Sequence, residues 1–287
     1  MIKTSFIIAI ALVLSSTSVF AKKNKQNKNS SCKPIMNAIG GHAGLQSALK
    51  ASVPTSAGGT GSVESNGGLD VPMWATIVGR DGTVCAIARS SELGGQWPIS
   101  RIISAQKANT ANGLTITAVP GLWSTARLFT PTQPGQFLFG LQMSNPVNAA
   151  EAYKGNADHW GTAQDHLATK KVRIGGINVF GGGLALWIND EIVGGVGVSG
   201  DTSCADHNVA LRVRDNLELF NTGTDDDGGP LKYADNIIYD IEDGVSASGL
   251  GHPACPGGDE EDVNSTITGI THPAHDPWPA AAIEEEN

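Results

Sequence analysis

Apolar and polar positions change period several times along this chain, and each change marks an element. VPMWATIVGRDGTVCAIARS, Val71 to Ser90, is two β-type apolar runs around Arg80, Asp81 and Gly82, which predicts a hairpin. Pro98 suits the first turn of a helix, and the pattern predicts one from Pro98 to Asn112. Ile99, Ile102, Ile103 and Gln106 mark one face of it, leaving Ser100, Arg101, Ser104 and Lys107 for solvent or a ligand. Leu122 to Phe129 suits a short second helix, and Phe137 to Met143 a strand or a buried loop. The richest stretch is GGGLALWINDEIVGGVGVSGDTSCADHN, Gly181 to Asn208. Apolar runs Leu184 to Ile188 and Ile192 to Val198 flank a polar corner at Asn189 and Asp190, a second hairpin.

Glycines 194, 195, 197 and 200 leave one face of that hairpin almost bare, so a ligand or a helix can approach its backbone closely. Thr202 and Ser203 stand at a helix start, with Asp206 placed to accept from the first turn. Val209, Val213, Leu217 and Phe220 carry that helix to Phe220. Upstream, Pro34 to Ala51 has a modest helical signal weakened by Gly40, Gly41 and Gly44, and Ser52 to Gly68 reads as a loop. Strand, strand, helix, helix, long loop, strand, strand, helix describes one α+β domain with an antiparallel sheet, spanning 71–220. Segment 22–70 is a basic leader, a short helix and a Gly/Ser-rich loop.

The ends differ from this body. Lys3, the apolar run Phe6 to Leu14 and the close at Val19, Phe20 and Ala21 have the layout of a cleavable secretory signal over 1–21. A soluble mature chain from Lys22, periplasmic or secreted, is the expectation, with no stable membrane insertion because no stretch approaches ~20 apolar residues. Cys32, Cys85, Cys204 and Cys255 are then an even set in an oxidising compartment; two disulfides are expected, with three pairings open. Fifteen of the 28 acidic residues lie from Asn221 onward against one basic residue, Lys232, and the leader Lys22 to Asn29 carries four lysines. The body is therefore neutral and the net acidity of the chain belongs to the tail, at −14, which leaves no basic patch for nucleic acid. The tail, 221–287, reads as acidic and largely irregular: Tyr233 to Ile241 is apolar enough to dock on the body, and Cys255 could pin the remainder.

Candidate chemistry is sparse. Asp158–His159, Asp165–His166 and Asp206–His207 are ordinary metal-ligand types, but no HExxH or CxxC spacing supports a metal centre. Asp225 to Asp227 lacks the alternating oxygens and closing Glu of a calcium loop. Ser199 sits at a strand-to-helix turn without the second glycine of a GxSxG elbow.

The hairpin around Arg80 to Gly82, the motif SAQKANTAN from Ser104 to Asn112, and the GGGLALW…VGGVGVSG hairpin followed by a helix together resemble the GlcG/HbpS-type haem-binding family, also called the haem-degrading domain family. The resemblance covers about half the chain. It implies a profilin-like or PAS-like antiparallel sheet flanked by helices, homo-oligomers, and binding of haem or a related tetrapyrrole for haem handling or redox sensing. The family's KAxTA motif maps onto Lys107 and Thr110, and its hydroxyl contact onto Ser124 or Thr125.

Haem needs an apolar slot, an axial donor and cations for its propionates. Trp123, Phe129, Phe137, Phe139 and Trp187 are candidates for the slot; His207, His159 or His166 for the donor; Arg101, Lys107 or Arg127 for the propionates. The ligand-binding set is thus Arg101, Lys107, Thr110, Thr125, Gly181, Gly182, Gly183, Ser199, Asp201 and His207. The competing readings are an enzyme, degrading haem or acting on a small organic acid, and a non-catalytic oligomeric scaffold.

Overall fold

A computed structural model of the chain describes residues 31–118, 123–225, 227–256 and 259–271. The expected secretory signal and basic leader lie outside them. The helical signal of 34–51 becomes two helices, α1 (Cys32–Ile39) and α2 (Gly41–Ala51). Gly40 and Gly41 break it, both with positive φ (74° and 77°), where a residue with a Cβ is strained. The chain continues through β1 (Trp74–Gly79), β2 (Val84–Arg89), α3 (Ser100–Leu114), the one-turn helices α4 (Ala149–Ala152) and α5 (His166–Thr169), β3 (Gly183–Ile188), β4 (Glu191–Ser199) and α6 (Ser203–Asn216). A two-stranded ribbon, β5 (Ile241–Glu242) with β6 (Val245–Ser246), and α7 (Glu260–Thr268) follow.

Both expected hairpins form, and they join through their inner strands into one antiparallel sheet of order β2-β1-β4-β3. Trp74 faces Ser199 and Gly79 faces Gly194 across that central pairing. The α+β architecture, an antiparallel sheet flanked by helices, is therefore the one the chain adopts. Side chains alternate across the strands, so Ala75, Ile77, Leu184, Leu186, Val196 and Val198 pack against α1, α2 and α6. On the opposite face Trp74, Val78, Val84 and Ile87 pack with Ile102, Ala105 and Ala108 of α3. The segment 144–173, polar in sequence, adds Ala152, Leu167 and Ala168 to this second core.

The bare glycine face is filled by α3. A Cβ on Gly195 would stand 2.4 Å from the Ala108 carbonyl oxygen, and one on Gly197 only 2.0 Å from that of Ser104. This changes the expected orientation of α3: Ile102 is buried as expected and Ile103 and Gln106 are half-buried, but Ser100, Arg101, Ser104 and Lys107 are buried as well, and Ile99 at the helix start is 59% exposed. The small residues Ser104 and Ala108 let the helix backbone lie on the glycine strands, and Ser104 Oγ pairs with Thr76 Oγ1 at 2.7 Å.

Other boundaries shift for local reasons. Of the expected second helix, Leu122 lies outside the described residues and 123–129 contains one short 3₁₀ helix, Thr125–Leu128. Phe137 and Phe139 are neither strand nor buried loop; they lie in turns, 71% and 65% exposed. α6 ends at Asn216 rather than at Phe220, and Glu218 just beyond it has φ 56°. The tail is less irregular than its acidity suggests, since α7 forms and Ile237 and Tyr239 are buried. The disulfides are Cys32–Cys85 and Cys204–Cys255. No helix among the described residues is long and apolar enough to cross a membrane.

Candidate functional site

Two elements bring opposite charges together beneath the glycine triplet. Lys107 projects from α3 and Asp206 from the first turn of α6, with Nζ 2.6 Å from Oδ2 and both side chains about 3% exposed. Gly182 lets them meet: it has φ 114°, and a Cβ there would stand 2.5 Å from the Val198 carbonyl oxygen and 3.1 Å from Lys107 Nζ. The other oxygen of Asp206 accepts from the Asp201 N–H at 3.0 Å, while the N-cap Thr202 accepts from Ala205 N–H at 3.3 Å. The two bonds tie the strand end to the helix start. Burial raises the Asp206 carboxyl to about 6, against the opposing pull of Lys107.

Other predicted residues surround this pair. Thr125 Oγ1 accepts from Gly183 N–H at 2.8 Å. Thr110 Oγ1 donates to the Gln106 carbonyl at 2.8 Å and accepts from Asn178 N–H at 3.0 Å, so it anchors the approach to the glycines. Ser199 is buried at the end of β4. Asp201 accepts from Leu69 N–H at 2.8 Å and Thr202 N–H at 2.6 Å, which makes it a loop anchor. Gly181 packs so closely on α6 that an added Cβ would be 3.1 Å from His207 Cβ.

Arg101 does not join them. Its guanidinium is fully buried in a two-pronged pair with Asp165 (2.9 and 2.6 Å), donates to the Ala152 carbonyl and lies over the Trp160 ring. It ties the 144–173 segment to α3, and is not placed to meet a propionate. The three Asp–His pairs likewise stay apart: Asp158 and His159 are exposed on a turn, while Asp165 caps α5 and holds Arg101.

The chain's own C-terminal extension closes the site. Ile237 N–H donates to His207 Nε2 at 3.1 Å, the His207 ring is fully buried, and its Nδ1 has no partner among the described residues. Burial, reinforced by His252, Arg214, Arg127 and Lys107, holds this imidazole well below its ordinary pKa, hence neutral. Gly181 N–H donates to His252 Nε2 at 3.3 Å, and His252 Nδ1 donates to the Pro253 carbonyl at 2.7 Å. The His252 ring rests against Phe129 and Phe180, with centroids 5.6 and 6.5 Å away, and burial lowers it to about 4. Sequence reasoning missed His252, because it reaches the site on the extension through long-range contacts, the Cys204–Cys255 bridge among them. Arg214 with Asp235 (2.5 and 2.8 Å), and Asn264 with Asn208 and Asn236, fix the two ends of the cover.

Among the described residues, Cys204, His252 and Cys255 form one group whose ligand atoms lie within 4.8 Å. With the sulfurs bonded to each other and Nδ1 committed to Pro253, this group is a covalent clasp in the present form. Outside it runs a groove of 430 Å³, between Phe129, Thr130, Gln133 and Gln136 on one side and Ile241, Val245, Ser246 and Pro253 on the other. That is the scale of a small-molecule pocket.

The interior does not fit haem as arranged here. His207 has its Nε2 engaged and its ring enclosed, Lys107 and Arg101 are consumed by buried carboxylates, and the glycine face is covered by α3.

An antiparallel sheet with helices on both faces, and a buried Lys–Asp pair under a glycine triplet, define a small α+β protein with a pre-packed interior. The family follows: residues 59–214 match the model of the haem-degrading protein HbpS-like family, and the chain belongs to it. The match ends inside α6, before the extension. Two solved structures are similar. Protein ORFY of Klebsiella pneumoniae is 26% identical over 52% of this chain and 77% of its own, with a TM-score of 0.35. PduOC in complex with haem is 26% identical over 53% of this chain and 82% of its own, with a TM-score of 0.34. No curated protein matches the chain at a significant level.

Proposed function

We propose that this protein binds haem or a related tetrapyrrole outside the cytoplasm, for haem handling or redox sensing, and takes it at the groove beside Phe129 rather than in the interior. Family membership supplies the ligand class. The groove is the observation that carries the location, because it is lined by Phe129 of the Phe129–Phe180–His252 ring cluster and by Pro253 next to His252. A planar apolar ligand gains from aromatic contact and area burial there. Export is supported by the 1–21 pattern and by both disulfides, which persist in oxidising compartments.

Titration of the mature chain with haemin tests this reading. A saturable Soret shift is expected, and Phe129→Ala weakens binding by roughly 10-fold, the loss of about 1.4 kcal/mol of ring contact. His207→Ala leaves the spectrum of the bound form unchanged. Absence of any Soret shift, or a spectrum that changes in the His207 variant alone, overturns the assignment. In the same samples, reductant and oxygen that bleach the band and release iron would make the protein a haem-degrading enzyme.

A further inference from the structure

We propose that residues 240–256 are a strap clasped over the Gly181 segment by Cys204–Cys255, and that a dithiol reductant opens this clasp selectively and lifts the strap. Its ends are fixed independently, by Asp235 on Arg214 before it and by Asn264 on Asn208 after it. Between them, besides the disulfide and the contacts that Cys204 N–H (3.2 Å) and Ser203 Oγ (3.4 Å) make with the Cys255 sulfur, the polar and ring contacts to the body among the described residues cluster at Gly251 and His252. Thr130 Oγ1 donates to the Gly251 carbonyl at 2.6 Å, Gly181 N–H donates to His252, and the His252 ring sits on Phe129 and Phe180. The ribbon within the strap is held by its own pairing and by Asp240, which accepts from Ser246 and Ser248. It can therefore move as a unit.

Selectivity follows from access and from the leaving group. Cys255 is partly exposed, whereas Cys204, Cys32 and Cys85 are 0%, 2% and 3% exposed. An incoming thiolate thus meets the Cys255 sulfur first. Breaking that bond expels the Cys204 thiolate in the first turn of the 14-residue α6, where the helix N-terminus stabilises negative charge. The second thiol of the reductant then resolves the mixed disulfide. In sum, two thiols become one disulfide, and two electrons and two protons pass to Cys204 and Cys255. Loss of the clasp frees His252 from Gly181 and leaves the space between Phe129 and Phe180 continuous with the groove that Phe129 lines. The tetrapyrrole reading enters this proposal only as the identity of what occupies that space.

Hydrogen–deuterium exchange on the mature full chain, with and without dithiothreitol, is the test, with alkylation and peptide mass recording which disulfide has opened. Cys204–Cys255 is expected to open first, and amides in 181–183 and 240–256 to exchange at least ~10-fold faster while those of 74–89 stay protected. The Cys204→Ser/Cys255→Ser variant should show the same pattern without reductant, and Cys32→Ser/Cys85→Ser should not. Unchanged exchange at 240–256 in both the reduced protein and the clasp variant overturns the strap, whatever haemin does. Haemin titration of the same samples separates the two readings. Tighter binding by at least ~10-fold in the clasp variant supports both. Failure of haemin to bind either form, with faster strap exchange, removes the tetrapyrrole and leaves the strap standing.

Discussion

Replacing Lys107 by Met isolates the buried charge pair. The substitution keeps most of the side-chain volume but removes the cation 2.6 Å from Asp206, whose carboxylate retains only the Asp201 N–H. Breaking a buried ion pair from one side costs about 3–5 kcal/mol, which for a domain of this size lowers Tm by roughly 6–20 °C. The effect depends on pH with a definite sign. The folded-state pKa of Asp206 is raised from 3.8 to about 6, so the fold favours its protonated form. Stability from this group is present at low pH and falls as pH rises from the unfolded value through the folded one. Without Lys107 the folded pKa climbs further, so the variant's deficit is small near pH 5 and grows to about 2–3 kcal/mol near pH 8, reaching its full size only above that. Urea unfolding of both proteins at the two pH values measures it, and Lys107→Met/Asp206→Leu should recover most of the loss. A deficit below about 1 kcal/mol at the higher pH, or an equal deficit at both, would refute a structural charge pair here.

Two further outcomes follow from the packing and from the second buried imidazole. Gly197→Ala places a methyl 2.0 Å from the Ser104 carbonyl and should cost about 1–3 kcal/mol or more, read as a lower urea midpoint; a neutral result would mean that α3 does not lie on the strand as described. His252, lowered from 6.5 to about 4, is neutral in the fold, whereas the unfolded chain takes up a proton below about pH 6.5; stability is therefore lost as pH falls through that window, by on the order of 3 kcal/mol. His252→Phe should flatten that acid limb of the stability curve, and an unchanged limb would assign the loss to other groups.

The hairpins, the start of α6 and the α+β class were legible because period-two runs, tight turns and an N-cap are local signals. The face of α3 was not. Its polar residues read as solvent-facing by amphipathicity, yet the strands opposite offer glycines, and a small-residue helix face fits them better than isoleucines do. The stripe Ser104, Ala108 set against Gly195 and Gly197 is the signal that could have revealed it. Arg101 was misplaced for a different reason, since its partner Asp165 is 64 residues away and no local pattern links them. The extension is acidic overall, but Asp235 is spent on Arg214 and Glu260 is buried beside α6, so net charge hid its packing. His252 depends on a cysteine pairing that the sequence leaves threefold open.

The central register has a consequence for biogenesis. Trp74 to Gly79 can pair with Val84 to Arg89 as soon as that hairpin is made, but its other edge waits for residues 194–199. During synthesis, an apolar strand edge therefore stands open while more than a hundred further residues are delivered, and the closing contact is long-range and slow. Chaperone binding should concentrate on this first hairpin. Variants that delay the second should partition to inclusion bodies or proteolysis before they lose any measurable equilibrium stability.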